Sequence, residues 1–203
     1  MLLEIYDKLS EVKKQIKSIC CRLKLIEEGQ QTEPKYKVYT ALLTQSGGDN
    51  AQTLEGGPLT KGVSYVFDYA EGTWDFTNVG GPKYPDTTSF VATANQEPID
   101  WANTGLNFNT GAPVVTVLEN TIGNIWFTYA GTGTYDVKSN NLFIDNKTTF
   151  SINLMGEDIG TGYFCLGDIL DESTNRITTG SPDVGEINDV LTYKTPIEIR
   201  VYN

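Results

Sequence analysis

Leu2, Ile5, Leu9, Val12, Ile16, Ile19, Leu23 and Ile26 follow one another at alternating spacings of three and four residues, an unbroken heptad seam. A lone helix carrying such a stripe has nothing of its own to bury it against. The pattern therefore predicts self-association of parallel helices, with a domain of a different kind hung from their ends.

Counting Leu2 as position a, the a positions hold Leu2, Leu9, Ile16 and Leu23, and the d positions hold Ile5, Val12, Ile19 and Ile26. Leucine-rich a layers alternating with β-branched d layers disfavour two-stranded packing and shift the preference to three or four strands. A homotrimer is the expectation, by analogy with other β-domains borne on helical stalks. Arg22 at g faces Glu27 at e, which favours the parallel arrangement, whereas Lys8 at g faces Lys13 at e and is mildly repulsive. A helix over residues 1–28 spans about 40 Å. It should stop at Gly29, a common residue just past a helix end, and residues 29–35 read as a linker in which Pro34 blocks further helix.

From Tyr36 the period changes to two. Tyr36, Val38, Thr40 and Leu42 alternate with Lys37, Tyr39, Ala41 and Leu43, which predicts a strand with one face more apolar than the other. Further strands are predicted over 63–69, 89–94, 114–119, 124–130, 134–138, 148–154 and 197–202. Short strands separated by Gly, Asn and Pro suggest a mainly β, sandwich-like domain over 36–203, behind an N-terminal parallel coiled-coil helix. Val114-Val115-Thr116-Val117-Leu118 is the strongest candidate for a buried strand. Residues 121–124 read as the turn into Ile125–Tyr129, and Gly131-Thr132-Gly133 as the hairpin turn onto Tyr135–Val137.

Charge narrows the function classes. Residues 1–28 carry six basic and five acidic side chains; the rest carries nine basic and 21 acidic, in a chain of net charge −11. A β-domain this acidic repels phosphate backbones, so no nucleic-acid partner is expected. No stretch approaches the ~20 apolar residues of a membrane span, and Glu4, Asp7 and Glu11 interrupt any signal-peptide core. Cys20, Cys21 and Cys165 cannot form a complete disulfide framework and lack zinc spacing; they read as reduced thiols.

The sequence contains no histidine, which excludes Ser-His-Asp and Cys-His nucleophile systems. The glycine pairs at 47–48, 56–57 and 80–81 lack the Gly-x-x-x-x-Gly-Lys pattern of a phosphate loop. Asp75, Asp100, Glu119 and Asp136 are candidates for a carboxylate pair of the glycan-cleaving kind, but among 26 acidic residues accidental pairs are common, and the expectation is no enzyme. The acidic stretches 168–172 and 183–189 lack EF-hand spacing and read as turn formers, so neither metal nor cofactor is expected.

The segments YKVYTALLTQSG (36–47), APVVTVLENTIGNIWFTYAGTGTYDV (112–137) and TPIEIRVYN (195–203) resemble a domain that recurs in virion proteins of tailed phages infecting Bacteroidetes, including the crAss-like group. DFTNVGGP (75–82) and SFVATANQEPIDW (89–101) resemble a unit reused in the same proteins. The resemblance implies that residues 48–111 are an insertion. It also implies a structural role on the exterior of the virion, as a head-fibre or tail-fibre subunit whose partners are copies of itself and capsid or tail components.

An appendage of this kind can also touch a host surface glycan, and exposed aromatic rings would make that contact. Trp126, inside a strand beside Phe127 and Tyr129, reads as core. Trp74, Trp101 and Tyr84, lying in the insertion among Gly, Asn and Pro, are the candidate ligand contacts, ahead of Tyr65 and Tyr69. Three functions are thus in play: a structural fibre, a glycan-recognition module and, least favoured, a glycan depolymerase.

Overall fold

The computed structural model describes residues 8, 9, 11–20, 35–152, 164–181, 186, 187, 191 and 194–203. The chain divides into two compact units, Met1–Lys35 and Tyr36–Asn203. In the first, residues 11–20 form a helix, α1, and Lys8 and Leu9 are also helical. Leu2, Ile5, Leu23, Ile26 and the linker at 29–34 lie outside the described residues.

The second unit is mainly β. Its strands are β1 (Tyr36–Thr44), β2 (Ala51–Leu54), β3 (Ser64–Glu71), β4 (Phe90–Val91), β5 (Asn103–Asn109), β6 (Val114–Asn120), β7 (Ile125–Gly131), β8 (Thr134–Ser139), β9 (Thr148–Ile152), β10 (Phe164–Asp171), β11 (Thr174–Ser181), β12 (Glu186–Ile187) and β13 (Thr195–Tyr202). They form three sheets: sheet I in the order β6-β1-β13-β9, sheet II in the order β10-β11-β8-β7 with β12 on the end of β11, and sheet III in the order β2-β5-β3-β4. Every pairing is antiparallel.

Sheets I and II bury one core between them. Alternation along β1 sends Tyr39, Ala41 and Leu43 inward, and alternation along β13 sends Ile197, Ile199 and Val201 inward. They meet Ile125 and Phe127 of β7, Tyr135 and Val137 of β8 and Ile177 of β11. This is the sandwich-like layering expected from short strands of period two. At one edge the two sheets approach so closely that a Cβ on Gly167 of β10 would lie 2.1 Å from the Phe150 ring of β9. Glycine is the residue that fits there.

Sheet III, whose strands all come from 51–109, has a core of its own: Leu59, Tyr65, Trp74, Phe76, Val79, Phe90, Ala92 and Leu106. It is joined to the sandwich by hydrogen bonds. The buried Ser64 hydroxyl accepts the Phe127 N–H at 2.9 Å, so sheet III covers part of the free edge of β7. Gly62 donates to the Ala92 carbonyl (2.7 Å) and accepts from the Val115 N–H (2.8 Å), tying the sheet III loop to β6.

One expectation needs correction. The run Val114–Leu118 is not a buried strand: β6 is the edge of sheet I, and only Val115 in it is buried. Val117 and Leu118 are exposed because a register shift opposite Thr40/Ala41 disrupts the ladder and no strand lies beyond them in the sheet. Residues 121–124, read as the turn into Ile125, link two sheets. β6 and β7 belong to different sheets, and the segment carries the chain across the core with Ile122 buried beneath it. Asn120 accepts the N–H groups of Ile122 and Gly123, both at 3.1 Å, which holds the crossover. The hairpin of β7 and β8 forms as expected.

Gly62 has φ of +85°, and a Cβ there would sit 2.7 Å from the Val115 carbonyl oxygen and 2.8 Å from Val114 Cγ1. Gly62→Ala should lower the unfolding free energy by about 1–3 kcal/mol in urea titration. Gly56→Ala, which meets nothing within 4 Å, should change it by less than about 0.5 kcal/mol.

Candidate functional site

Two of the tryptophans depart from the sequence expectation: Trp74 is buried, and Trp126 lies outside both cores. Trp74 is 5 % exposed inside the sheet III core, beside Phe67 at 6.0 Å. Trp101 is half-buried against the same core, edge-on to Phe76 at 5.1 Å and 82°. Neither ring stands free as a stacking platform; both close a compact aromatic cluster in which Phe67, Phe76 and Phe90 also meet. Tyr84 is the exposed member, 54 % accessible, packed edge-on against Trp74 at 5.1 Å. Tyr65 is buried, and Tyr69 is exposed but lies against Gly105, where a Cβ would come 2.4 Å from its ring.

Trp126, expected in the core, is half-buried and belongs to neither core cluster. The reason is the phase of β7. Ile125 and Phe127 point inward, so Trp126 and Thr128 face out. The signal was present in the adjoining strand: β8 reads Thr134, Asp136 and Lys138 on one side and Tyr135 and Val137 on the other. The tight Gly131-Thr132-Gly133 turn fixes which of these lies opposite Trp126.

The outer face of sheet II is therefore legible row by row. One row runs Trp126–Lys138–Thr174, the next Thr128–Asp136–Arg176–Asp168, and a third Thr134–Thr178–Leu166. Asp136 anchors the middle. Its carboxylate accepts Arg176 Nε at 2.8 Å and Nη2 at 3.3 Å, and Lys138 Nζ lies 3.5 Å away. Lys138 Nζ also donates to Thr174 Oγ1 at 3.1 Å. Asp136 keeps 11 % of its side chain exposed, whereas Lys138 and Arg176 keep 31 % and 38 %. The face thus offers fixed, part-exposed donors beside an aromatic ring.

The other carboxylates singled out by sequence do local work. Asp75 and Asp100 are brought together, but through their backbones, which exchange hydrogen bonds of 2.9 and 3.1 Å. The Asp75 side chain accepts the Thr77 N–H (2.9 Å) and hydroxyl (2.6 Å), and Asp100 accepts the Ala102 N–H at 2.9 Å. Asp86 and Asp171 cap Thr88 and Ser173 in the same way. These are Asx-type turns, each Asp reaching two residues on. Glu119 is exposed on the sheet I edge, in a different sheet from Asp136. Of the acidic stretch 183–189, most lies outside the described residues. Among the described residues, no three acidic, cysteine or histidine side chains cluster as metal ligands, and no helix is long and apolar enough to cross a membrane.

The stripe on α1 is the second candidate surface. Leu9, Val12, Ile16 and Ile19 are 54 %, 51 %, 55 % and 55 % exposed. Cys20, also exposed, is a free thiol at the end of the described helix. Compared with protein-family models, curated proteins and solved structures, the chain matches none.

Hydrogen bonds from Thr77 hold the Asp75 carboxyl below the ordinary carboxylate range, and those from Ser173 do the same for Asp171. A depressed folded-state pKa stabilises the fold fully above the unfolded value of about 3.9 and loses that contribution as pH falls through the lower folded value. The double variant Asp75→Asn/Asp171→Asn should therefore show a shallower loss of thermal midpoint than the parent when the pH is lowered from about 5 to about 2.

Proposed function

We propose that this chain is a structural subunit of a phage virion appendage, a homotrimeric head fibre or tail fibre. In this reading an N-terminal helical bundle anchors the subunit to capsid or tail components and presents the β-domain on the exterior of the particle. The observation that carries the reading is the exposed stripe. Four large aliphatic side chains at spacings of three and four, each about half exposed in a single chain, form an apolar surface that soluble helices do not leave bare. Sister helices cover such a stripe by knobs-into-holes packing, and the a and d residues of the described stretch, Leu9 and Ile16 with Val12 and Ile19, suit more than two strands.

The rest of the chain fits that role. A mainly β domain on a stalk gains reach, and several copies on one stalk convert weak contacts into avidity. Three of the segments that resemble Bacteroidetes phage virion proteins fall on β1, the β6–β8 region and β13, five of the strands of the sandwich.

Mass photometry and cross-linking of the full chain at micromolar concentration test the proposal. The expected species is a trimer. Ile16→Asp/Ile19→Asp should reduce it to a monomer while leaving the cooperative melting of the β-domain in place. A parent protein that is monomeric under these conditions would rule out the stalk, and with it the fibre.

A further inference from the structure

We propose that the outer face of sheet II is a binding surface for a neutral polysaccharide, with Trp126 as the stacking ring and Arg176, Asp136 and Lys138 as its hydrogen-bonding partners. A sugar ring presents an apolar C–H face and a rim of hydroxyls that both donate and accept. It is matched by an aromatic plane flanked by fixed donors and acceptors. Sheet II supplies both within two adjacent rows: Trp126 lies directly opposite Lys138, and Thr128 opposite Asp136. Neighbouring strands are about 4.8 Å apart, so all five side chains fall within reach of one or two sugar rings.

Three observations favour this occupant. Trp126 is half-buried, belongs to neither core, and sits on the outward phase of β7 in register with Lys138. The Asp136 carboxylate holds the Arg176 fork by two bonds, which leaves the guanidinium's remaining donors presented in a fixed orientation and lowers the ordering penalty on binding. The face is also electrically balanced: Asp136 and Asp168 stand in register with Arg176 and beside Lys138, two charges of each sign on a chain of net charge −11. Such a face exerts little net field on an ion, while each charged group still makes strong hydrogen bonds to a hydroxyl.

This surface differs from the one the sequence suggested around Trp74 and Trp101, the first buried in the sheet III core and the second packed against it. It draws on the appendage reading only for the biological source of the glycan. Oligomeric mass tests that reading; titration tests this one, and a monomer could still bind.

The experiment is isothermal titration of the full chain with neutral oligosaccharides of glucose, mannose, galactose and xylose, and with oligogalacturonate as the acidic arm. At least one neutral probe should bind. Trp126→Ala should weaken it by about tenfold or more, with Trp126→Phe retaining most of the affinity. Arg176→Gln should weaken it as well, and Tyr84→Ala should leave it unchanged. Circular dichroism melts will verify that each variant is folded, and the Phe variant keeps the test valid if the Ala variant is not. Failure of every neutral probe, binding of oligogalacturonate alone, or binding of a neutral probe that folded Trp126→Ala and Arg176→Gln leave unaffected would each overturn the proposal. So would a change in oligomeric mass on substituting Trp126, which would mark the face as a contact between copies.

Discussion

The ladder between β1 and β13 is the constraint on which the β-domain depends. Eight residue pairs, from Tyr36↔Tyr202 to Leu43↔Thr195, join the two ends of a 168-residue unit. Neither strand has a partner near it in sequence, so the pairing requires closure of most of the chain and cannot form locally. Once formed, it fixes the phase of both strands. Tyr39, Ala41 and Leu43 then share an inward face with Ile197, Ile199 and Val201, and sheet II must supply the opposing surface. On the outward side the same register brings Tyr36 and Tyr202 to 5.4 Å and lays the Arg200 guanidinium 4.7 Å over the Tyr36 ring.

Phase also decides what the surface can do. A one-residue slip in a strand turns every side chain to the other face. The inward placement of Phe127 and Val137 is therefore the same fact as the outward placement of Trp126, Asp136 and Lys138. The core and the polar face of sheet II are two consequences of one register, set by the β7–β8 turn and by Ser64 holding the Phe127 N–H. The nearly covered Asp136 carboxylate is held by the Arg176 fork, and that partner comes from β11, forty residues away.

Much of this was readable beforehand. Period-two alternation located β1, which has one face in a core and one towards the outside, and short apolar runs between turn residues located β3, the β7–β8 hairpin and β13. It failed where that condition fails. β6 is rich in Val and Leu but lies at an edge, and composition does not distinguish an edge from a centre. β5 (NTGLNFN) and β11 (TNRITTGS) carry too few large apolar residues to announce a strand, yet both are central in their sheets, held by partners on either side. Trp74 and Trp101 looked exposed because Gly, Asn and Pro surround them; those residues in fact form the tight turns, such as the one at Gly80 with φ of +82°, that let a small aromatic core close.

By itself the sequence determined the mainly β class, the hydrophobic stripe of α1, the net acidity and the absence of any histidine-based chemistry. All of these follow from residue type and spacing along the chain. Tertiary structure alone decided which strands are edges, which tryptophans join the sheet III core and which does not, and that Asp136, Arg176 and Lys138 form one hydrogen-bonded group. Each of those depends on pairing between residues far apart in sequence, and such pairing is set by how competing faces share a core.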